Sequence, residues 1–372
     1  MAPPRAALVS LILFLLALPH ISEAQYEYTE LLPDDWISAE AQAINNDGIV
    51  AGWGMDEDGN IRGFSYSGGT FTTLLPSGWE WAKAQGINDS GDIAGSGENG
   101  SSVLKGFIFD GSAYTELLPS GWDSAEAVDI NDSDVVAGWG NDGDSIKGFI
   151  YDSGTYTTII PTGWTSAQAV AINESGVVVG WGNDADETEK GFIYDNGSYT
   201  TIIPPGWSFA EALAINDDGD VVGWGSGEGF LYSDGSYTEI MPDGWTWSEA
   251  HGINSNGDIV GLGRKDAEDN DIGFLYSDGT FTEISPADWS EARAFSINDD
   301  GVIAGSGTDA IGDKGFIATL QEPNISINPL SVNFGSVPIG EISTSETLTV
   351  SNTGTTGLVI NSVTLGGANS GI

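Results

Sequence analysis

Residues 171–207 read "AINESGVVVGWGNDADETEKGFIYDNGSYTTIIPPGW". Together with the four residues before them, they contain four short runs, "AQAVAIN", "VVVGWG", "KGFIYD" and "YTTII", which are rich in Val, Ile, Phe, Tyr and Thr. Runs of this length and composition, bounded by Gly, Asn and Asp, predict β-strands. The connecting "ESG" and "NGS" suit tight hairpin turns, because Asn and Gly tolerate positive φ. The stretch therefore predicts a unit of four antiparallel strands.

Near-copies of this unit fill most of the chain, and the dipeptide Ile-Asn marks each one at intervals of 38–44 residues. The isoleucines of this dipeptide are Ile44, Ile87, Ile130, Ile172, Ile215, Ile253 and Ile297. A Gly-Phe pair follows in every copy, at Phe64, Phe107, Phe149, Phe192, Phe230, Phe274 and Phe316. A tryptophan precedes every copy, at Trp36, Trp79, Trp122, Trp164, Trp207, Trp245 and Trp289. A four-stranded repeat of about 40–45 residues is typical of a β-propeller blade.

The ends of the repeat region favour a ring over an open array. Residues 26–33, "YEYTELLP", match the fourth strand of a blade that lacks its first three strands. The last copy ends at "KGFIATL", a third strand without a fourth. We therefore predict an all-β fold with a seven-bladed β-propeller over 25–320, in which the strand around Tyr28–Leu32 completes the seventh blade. Closure of this kind hides two sheet edges that would otherwise promote aggregation.

The first 24 residues have the pattern of a secretory signal. Arg5 precedes the apolar run "AALVSLILFLLAL", and the small residues of "SEA" stand before Gln25. This order of features is typical of a cleaved signal peptide. The alternative is a membrane anchor, which asks for about 20 apolar residues. We expect 1–24 to be removed, which gives a secreted or cell-surface protein with no membrane insertion after cleavage.

Charge restricts the partners. The chain has 55 acidic and 10 basic residues, a net charge of −45, and no cysteine. A cysteine-free exported domain of this size must be held together by burial alone. So much negative charge argues against nucleic acid or an anionic membrane as partner. It favours salty surroundings, bound divalent cations or a cationic partner.

Two resemblances extend this interpretation. The consensus "A-x-x-IN-x-x-G-x-[VI]-x-G…GF-[IL]-Y-x-x-G" resembles the extracellular HAF repeat family of secreted bacterial proteins, here with Lys-Gly-Phe in place of His-Ala-Phe in most copies. The resemblance implies export and a propeller-like fold but no activity. In 321–372, "VNFGSVPIG" and "LTVSNTGTTGLVI" resemble the Ig-like repeats of choice-of-anchor D and ASH-type proteins. Since such domains span about 100 residues, we expect a truncated Ig-like β-sandwich there.

Strand parity separates two faces of the predicted ring. The turns between strands one and two and between strands three and four lie on one side, which we call the turn face. The variable loops between strands two and three, and the links between blades, lie on the opposite side, the loop face. Loops of varying length on a rigid scaffold often carry binding, so the sequence favours the loop face for a ligand.

Tryptophans offer a lectin hypothesis, because exposed aromatic rings stack on sugars. The seven linker tryptophans recur once per blade, as residues that wedge between blades would, although sugar contact remains open. Better candidates for ligand contact are those that packing does not demand in every copy. These are Trp53, Trp139, Trp181 and Trp224 of the "GWG" copies, whose counterparts are Ser96, Leu262 and Ser306, and the isolated Trp81 and Trp247.

Acidic loops offer a calcium hypothesis, which makes calcium the one cofactor suggested by the sequence. Calcium takes six to eight oxygen ligands, and alternating acidic positions around a turn can supply several of them. The candidates are Asp56, Asp58, Asn60, Asp142, Asp144, Asp184 and Asp186. The distal Glu of an EF-hand is absent. The alternative is a set of solvated acidic loops.

Signals for catalysis are weak. Beyond the signal segment the chain has a single histidine, His251, without a G-x-S-x-G partner, and its strand position suits a structural residue. Paired carboxylates can hydrolyse glycosides, but a chain with 55 acids contains pairs by chance. We therefore expect a secreted, monomeric, non-catalytic scaffold that binds an extracellular glycan, matrix polymer or surface protein. The alternatives are a purely structural envelope protein and a polysaccharide hydrolase or lyase.

Overall fold

The structure is a computed structural model that describes residues 26–265 and 270–321, together with the short segments 7–14, 325–328, 332–337, 347, 349–352 and 364–366. All regular elements within these ranges are β-strands. No helix among the described residues is long and apolar enough to cross a membrane. The chain divides into two compact units, Tyr28–Thr319 and a second unit of Met1–Glu27 with Leu320–Ile372.

Within 26–320 the described strands form seven four-stranded sheets, which are the blades of a seven-bladed β-propeller. Blade 1 consists of Trp36–Ile44, Val50–Asp56, Ile61–Ser67 and Thr70–Leu74. Blade 2 consists of Trp79–Ile87, Ile93–Asn99, Leu104–Phe109 and Tyr114–Leu117. Blade 3 consists of Ser124–Ile130, Val136–Asn141, Ile146–Asp152 and Thr155–Ile159. Blade 4 consists of Gln168–Ile172, Val178–Asn183, Glu189–Asp195 and Ser198–Ile202.

The remaining blades repeat this arrangement. Blade 5 consists of Glu211–Ile215, Val221–Gly225, Glu228–Ser233 and Ser236–Ile240. Blade 6 consists of Trp245–Ile253, Ile259–Lys265, Ile272–Ser277 and Thr280–Ile284. Blade 7 consists of Glu291–Ile297, Ile303–Thr308, Asp313–Leu320 and, beside the last of these, Tyr26–Leu31 from the front of the chain. The ring of Tyr28 lies 5.9 Å from that of Phe316 in an edge-on contact.

A buried phenylalanine centres each blade. The seven Gly-Phe phenylalanines are at most 1% exposed. Each ring needs a glycine on the second strand: a Cβ at Gly95, for example, would lie 2.4 Å from the ring of Phe107. The second glycine of each "GxG" meets the backbone of the first strand instead and, in five blades, the linker tryptophan: a Cβ at Gly54 would lie 2.9 Å from the ring of Trp36. Burying a phenylalanine in each blade supplies about 1.5–3 kcal/mol per ring by area.

The core is shared between neighbouring blades. Ala304 of blade 7, for instance, belongs to the same buried cluster as Ala39, Ala41 and Phe64 of blade 1. The innermost strands carry alanine at these contacts, and the small side chain lets adjacent sheets approach closely. With no cysteine in the chain, this continuous packing holds the ring together.

Outside the propeller, the described segments form two small sheets. The backbone of Ala7–Phe14 lies between Val332–Val337 and Thr364–Gly366, and Ile325–Asn328 pairs with Thr349–Asn352. The strand at Ala7–Phe14 lies within the predicted signal, whose cleavage stays a prediction. The remainder of 1–24 and most of 321–372, where the signal and the Ig-like sandwich are predicted, lie outside the described residues.

Candidate functional site

A ring of seven buried asparagines closes the inner end of the turn face. Each is the Asn of the Ile-Asn dipeptide and is 3–6% exposed. Its side-chain oxygen accepts the backbone N–H four residues later, as Asn173 does from Val177 at 3.0 Å. Its Nδ2 donates to the backbone oxygen of the equivalent asparagine in the next blade, as Asn173 does to Asn216 at 3.1 Å.

These inter-blade bonds run around the entire ring. The donor–acceptor pairs are Asn45–Asn88, Asn88–Asn131, Asn131–Asn173, Asn173–Asn216, Asn216–Asn254, Asn254–Asn298 and Asn298–Asn45. A side-chain amide offers both a donor and an acceptor. One asparagine can therefore stabilise its own turn through the oxygen and bind the next blade through the nitrogen. In the sequence the Ile-Asn dipeptide indicates the register of the repeat, and this second role was not predicted from it. The recurrence of a polar residue directly after a buried isoleucine was the available signal.

The residues that follow these asparagines form an exposed rim. Carboxylates occupy five of the positions, Asp89, Asp132, Glu174, Asp217 and Asp299, and Asn46 and Ser255 occupy the other two. Neighbouring backbone amides orient them: Asp89 accepts the N–H of Asn46 at 2.8 Å, and Asp299 accepts that of Ser255 at 2.9 Å. The amide of Asp299 in turn donates to the Oδ1 of Asn46 at 2.9 Å.

The rim surrounds a cavity of about 270 Å³ that takes its lining from all seven blades. The wall below the rim contains the asparagine ring and the isoleucines of the Ile-Asn dipeptides. Asp129 and Ser296 also line it, at an innermost-strand position that is Ala or Gly in the other blades. Asp129 accepts the amides of Ile130 and Ile172, both at 2.9 Å, so its carboxyl joins blades 3 and 4. We call this rim and cavity the cup.

The cup is uniformly acidic. Its described lining residues include six carboxyl groups, the five of the rim and Asp129, and contain no Lys, Arg or His. Burial raises the pKa of Asp129 to about 6, against the pull of the two amides. Burial also raises the pKa of Glu174, and the charges of Asp132, Asp217 and Asp89 add to the effect. A cation bound beside Glu174 would offset the negative charges that raise the pKa of that carboxyl.

The six tryptophans proposed for ligand contact are half-buried, and none of them lines the cup. The ammonium of Lys83, in blade 2, lies 3.6 Å from the ring centre of Trp53, in blade 1. Trp224 packs edge-on between Phe209 at 5.1 Å and Trp247 at 6.2 Å. At these positions the rings fill the contacts between blades.

The linker tryptophans contact the core of their own blade. Each lies 5.9–6.0 Å, edge-on, from the buried phenylalanine of the same blade. Trp164 on Phe192 is typical. The tryptophan therefore anchors the incoming link to the blade that it begins, and Trp79 also shares a buried cluster with Ala51 and Leu74 of the preceding blade, in line with the expected packing between blades.

The acidic loops use their carboxylates internally. Asp142 accepts the amides of Asp144 and Ser145 and forms an ion pair with Lys147, which with these bonds lowers the pKa of Asp142 to about 2. Asp184 likewise pairs with Lys190, and Asp56 binds Asn60 and pairs with Arg62. Asp58, Asp144 and Asp186 are exposed.

Among the described residues, no group of three or more His, Cys, Asp or Glu side chains is arranged to hold a metal ion. The alternating acids therefore do not converge as the calcium hypothesis expected, because the first acid of each loop closes the turn and pairs with a base. The base that precedes Gly-Phe was a signal for this pairing in the sequence. His251 contacts Glu249 at 2.9 Å and packs on Phe295.

Comparison with known proteins supports the fold only. No family model and no curated protein sequence matches the chain. The β-propeller domain of the Trilobed protease from Pyrococcus furiosus aligns with a TM-score of 0.57 at 10% identity, covering 77% of this chain and 94% of that one. YCF48 bound to D1 peptide gives 0.49 at 11%, covering 81% and 97%. A mutant of Aleuria aurantia lectin with Fucα1-6GlcNAc gives 0.40 at 15%, covering 69% and 100%. At such identities the similarity establishes a β-propeller and no activity.

Proposed function

We propose that this chain is a secreted, non-catalytic β-propeller that binds a basic segment of an extracellular protein in the cup. The observation that carries the proposal is the chemistry of the cup: six carboxyl groups and no basic residue among the described residues that line it. The chain's basic residues lie elsewhere, for example in the loop ion pairs of Lys147 and Lys190. Six of the chain's 55 acidic residues thus lie together where no basic residue is among the described lining.

The dimensions of the cup suit a side chain rather than a whole small molecule. Drug-sized ligands occupy pockets of about 300–1,000 Å³, and the cup measures about 270 Å³. A lysine or arginine has an aliphatic stem that can lie along apolar wall while its charged head reaches polar groups. The carboxylates of the rim can pair with charged heads of a basic segment at the mouth of the cup, and Asp129 offers a carboxyl beside the isoleucines of the wall for a head that enters.

The non-catalytic part of the proposal is supported by the engagement of the histidine. His251 is engaged by Glu249 and Phe295. Export is proposed from the signal-like pattern of 1–24 and from the resemblance to HAF repeats.

The test is calorimetric titration of residues 25–372 with an acetylated tri-lysine peptide, with tri-glutamate as the peptide control. The triple variant Asp132→Asn, Glu174→Gln, Asp217→Asn keeps the acceptors for the rim amides but removes three charges. It should weaken tri-lysine binding by about three- to 150-fold, since exposed charge pairs contribute about 0.2–1 kcal/mol each.

The matched control variant is Asp152→Asn, Asp195→Asn, Asp234→Asn, which removes three exposed acids from the outer hairpin turns of the same face. It should bind like the parent. Equal losses of tri-lysine affinity in the two variants would show that net charge alone causes the effect. No binding of tri-lysine by the parent would favour the purely structural alternative. Glycan binding that disappears with Trp139→Ala or Trp181→Ala would place the binding site on the loop face and contradict the proposal that the cup is the site.

A further inference from the structure

The rim of the cup has its own chain of hydrogen bonds, outside the asparagine ring. At six of the seven seams between blades, the backbone N–H of a rim residue donates to the side-chain oxygen of the rim residue in the next blade. The pairs, donor first, are Asn46–Asp89 at 2.8 Å, Asp89–Asp132 at 2.7 Å, Asp132–Glu174 at 3.1 Å, Glu174–Asp217 at 3.0 Å, Ser255–Asp299 at 2.9 Å and Asp299–Asn46 at 2.9 Å. Each acceptor side chain is thus held in place by the preceding blade.

This chain of bonds is interrupted between blades 5 and 6. The rim residue that follows Asp217 is Ser255, whose hydroxyl arm is shorter than that of a carboxylate and donates to Oδ2 of Asp299 at 3.3 Å. Among the described residues, nothing accepts the backbone N–H of Asp217. Below the rim the seam is intact, because Asn216 donates to the backbone oxygen of Asn254 at 3.2 Å. We call this gap in the rim, between Asp217 and Ser255, the notch.

The notch lies at the end of the longest run of rim acids. Blades 2 to 5 each carry an acid at the rim position, and these acids are Asp89, Asp132, Glu174 and Asp217. Asp217 and Ser255 are exposed, and both line the cup. An exposed N–H without a protein acceptor bonds to water, which a ligand carbonyl can replace. The notch therefore presents one hydrogen-bond donor beside a row of negative charges.

We propose that the notch makes the cup selective for a peptide over other cations. A backbone carbonyl of the bound basic segment accepts the N–H of Asp217, while the lysine or arginine heads of the segment pair with the neighbouring rim acids. This inference rests on the proposed function of the cup and adds the chemical class of its ligand. A polyamine has the positive charges but no acceptor for the amide, whereas a peptide carries both on one chain.

The test compares two ligands of equal charge on residues 25–372. One is the acetylated tri-lysine peptide as its C-terminal amide, and the other is spermidine, which also carries three positive charges but has no carbonyl. Titration calorimetry gives the ratio of the peptide affinity to the spermidine affinity. A change in the charge of the protein affects both ligands, so it largely cancels in this ratio.

Ser255→Asp should close the notch, because an acid at this position would accept the N–H of Asp217 as Asp132 accepts that of Asp89. Although this variant adds a negative charge, the affinity ratio should fall about three- to tenfold, the contribution of one hydrogen bond. Ser255→Ala leaves the notch open and should keep the parent ratio. Asn46→Asp adds the same charge at the other neutral rim position and should also keep it.

The amide of Asp217 reports the contact directly. Its proton resonance should move to higher frequency with the tri-lysine peptide and much less with spermidine. The amide of Asp89, which already donates to Asp132, should respond alike to both ligands. An unchanged affinity ratio in Ser255→Asp, or an equal response of the Asp217 amide to both ligands, would overturn this inference and leave the proposed function of the cup intact. Absence of binding by both ligands would overturn the proposed function as well.

Discussion

The side-chain Nδ2 of Asn298 donates to the backbone oxygen of Asn45 at 3.0 Å, a bond between residues 253 positions apart. The same bond joins Asn45 to Asn88 at 2.9 Å, only 43 positions apart. The junction of the last blade with the first therefore uses the same contact as the junctions inside the repeat. Because these inter-blade bonds are equivalent around the ring, every blade contributes residues to the wall of the cup.

The asparagine ring should be essential for stability. Asn131 accepts the amides of Ser133 and Val135 and donates to the oxygen of Asn173. Asn131→Ala leaves these buried backbone groups without their hydrogen-bond partner. We therefore expect a loss of about 2–3 kcal/mol in the free energy of unfolding. Denaturant titration measures it. The control is Asn196→Gly in an exposed turn with φ 44°, which glycine adopts readily; a comparable loss there would contradict the role of the ring.

The two classes of tryptophan should separate under the same substitution. Trp79→Ser removes a ring that is 6% exposed and packs on Phe107, and should cost about 3–5 kcal/mol. Trp139→Ser places at a half-buried position the residue that Ser96 and Ser306 provide in other blades, and should cost about 1 kcal/mol. The free energies of unfolding of the two variants decide the point. Equal costs would show that the recurrence of the linker tryptophans does not reflect packing.

Much of the fold could be predicted from the sequence because its determinants are local and repeated. Strand composition, turns rich in Asn, Asp and Gly, and the Gly-Phe pair recur in every copy, so seven copies predict seven blades. The hydrogen bonds of the asparagine ring could not be predicted from one copy for a physical reason. They connect different copies, whereas a single copy shows only that Asn173 follows Ile172. The expectation of a ligand on the loop face followed loop variation, whereas the acidic cavity depends on turn residues that come together only when the blades form a ring.

Binding in the cup should depend on pH. The pKa of Asp129 is raised by burial to about 6, so its carboxyl is largely neutral at about pH 5 and ionised at about pH 7. A cation should therefore bind more tightly as the pH rises, and we expect about a two- to fivefold gain in tri-lysine affinity over that interval. Titration calorimetry at both pH values measures the change.

The matched variant for this effect is Asp129→Ser. Ser296 performs the same bridging role between blades 7 and 1, where its hydroxyl accepts the amide of Ile44 at 3.3 Å. The variant should keep the fold and lose part of the pH dependence, with the remainder due to Glu174. An unchanged pH dependence of tri-lysine affinity would show that Asp129 does not take part in binding.

Calcium should have little effect on the propeller. The lead acids Asp142 and Asp184 of two loops are already paired with Lys147 and Lys190. Because a calcium ion would have to displace these lysines, thermal melts with calcium and with chelator should give the same midpoint. A midpoint that rises with calcium in the parent but not in Asp184→Asn would restore the metal hypothesis for that loop.

The closed ring with a common central cup can be tested most directly by proximity across the junction of blades 7 and 1. The chain has no cysteine, so Asn46→Cys with Asp299→Cys gives a single pair for a short bis-maleimide cross-linker. The two parent side chains are in contact, with Nδ2 of Asn46 3.2 Å from Oδ2 of Asp299. Asn46→Cys with Asp89→Cys reports the equivalent contact between blades 1 and 2. We predict that both pairs cross-link within the folded monomer at similar rates; cross-linking of the second pair without the first would show an open array and contradict the account.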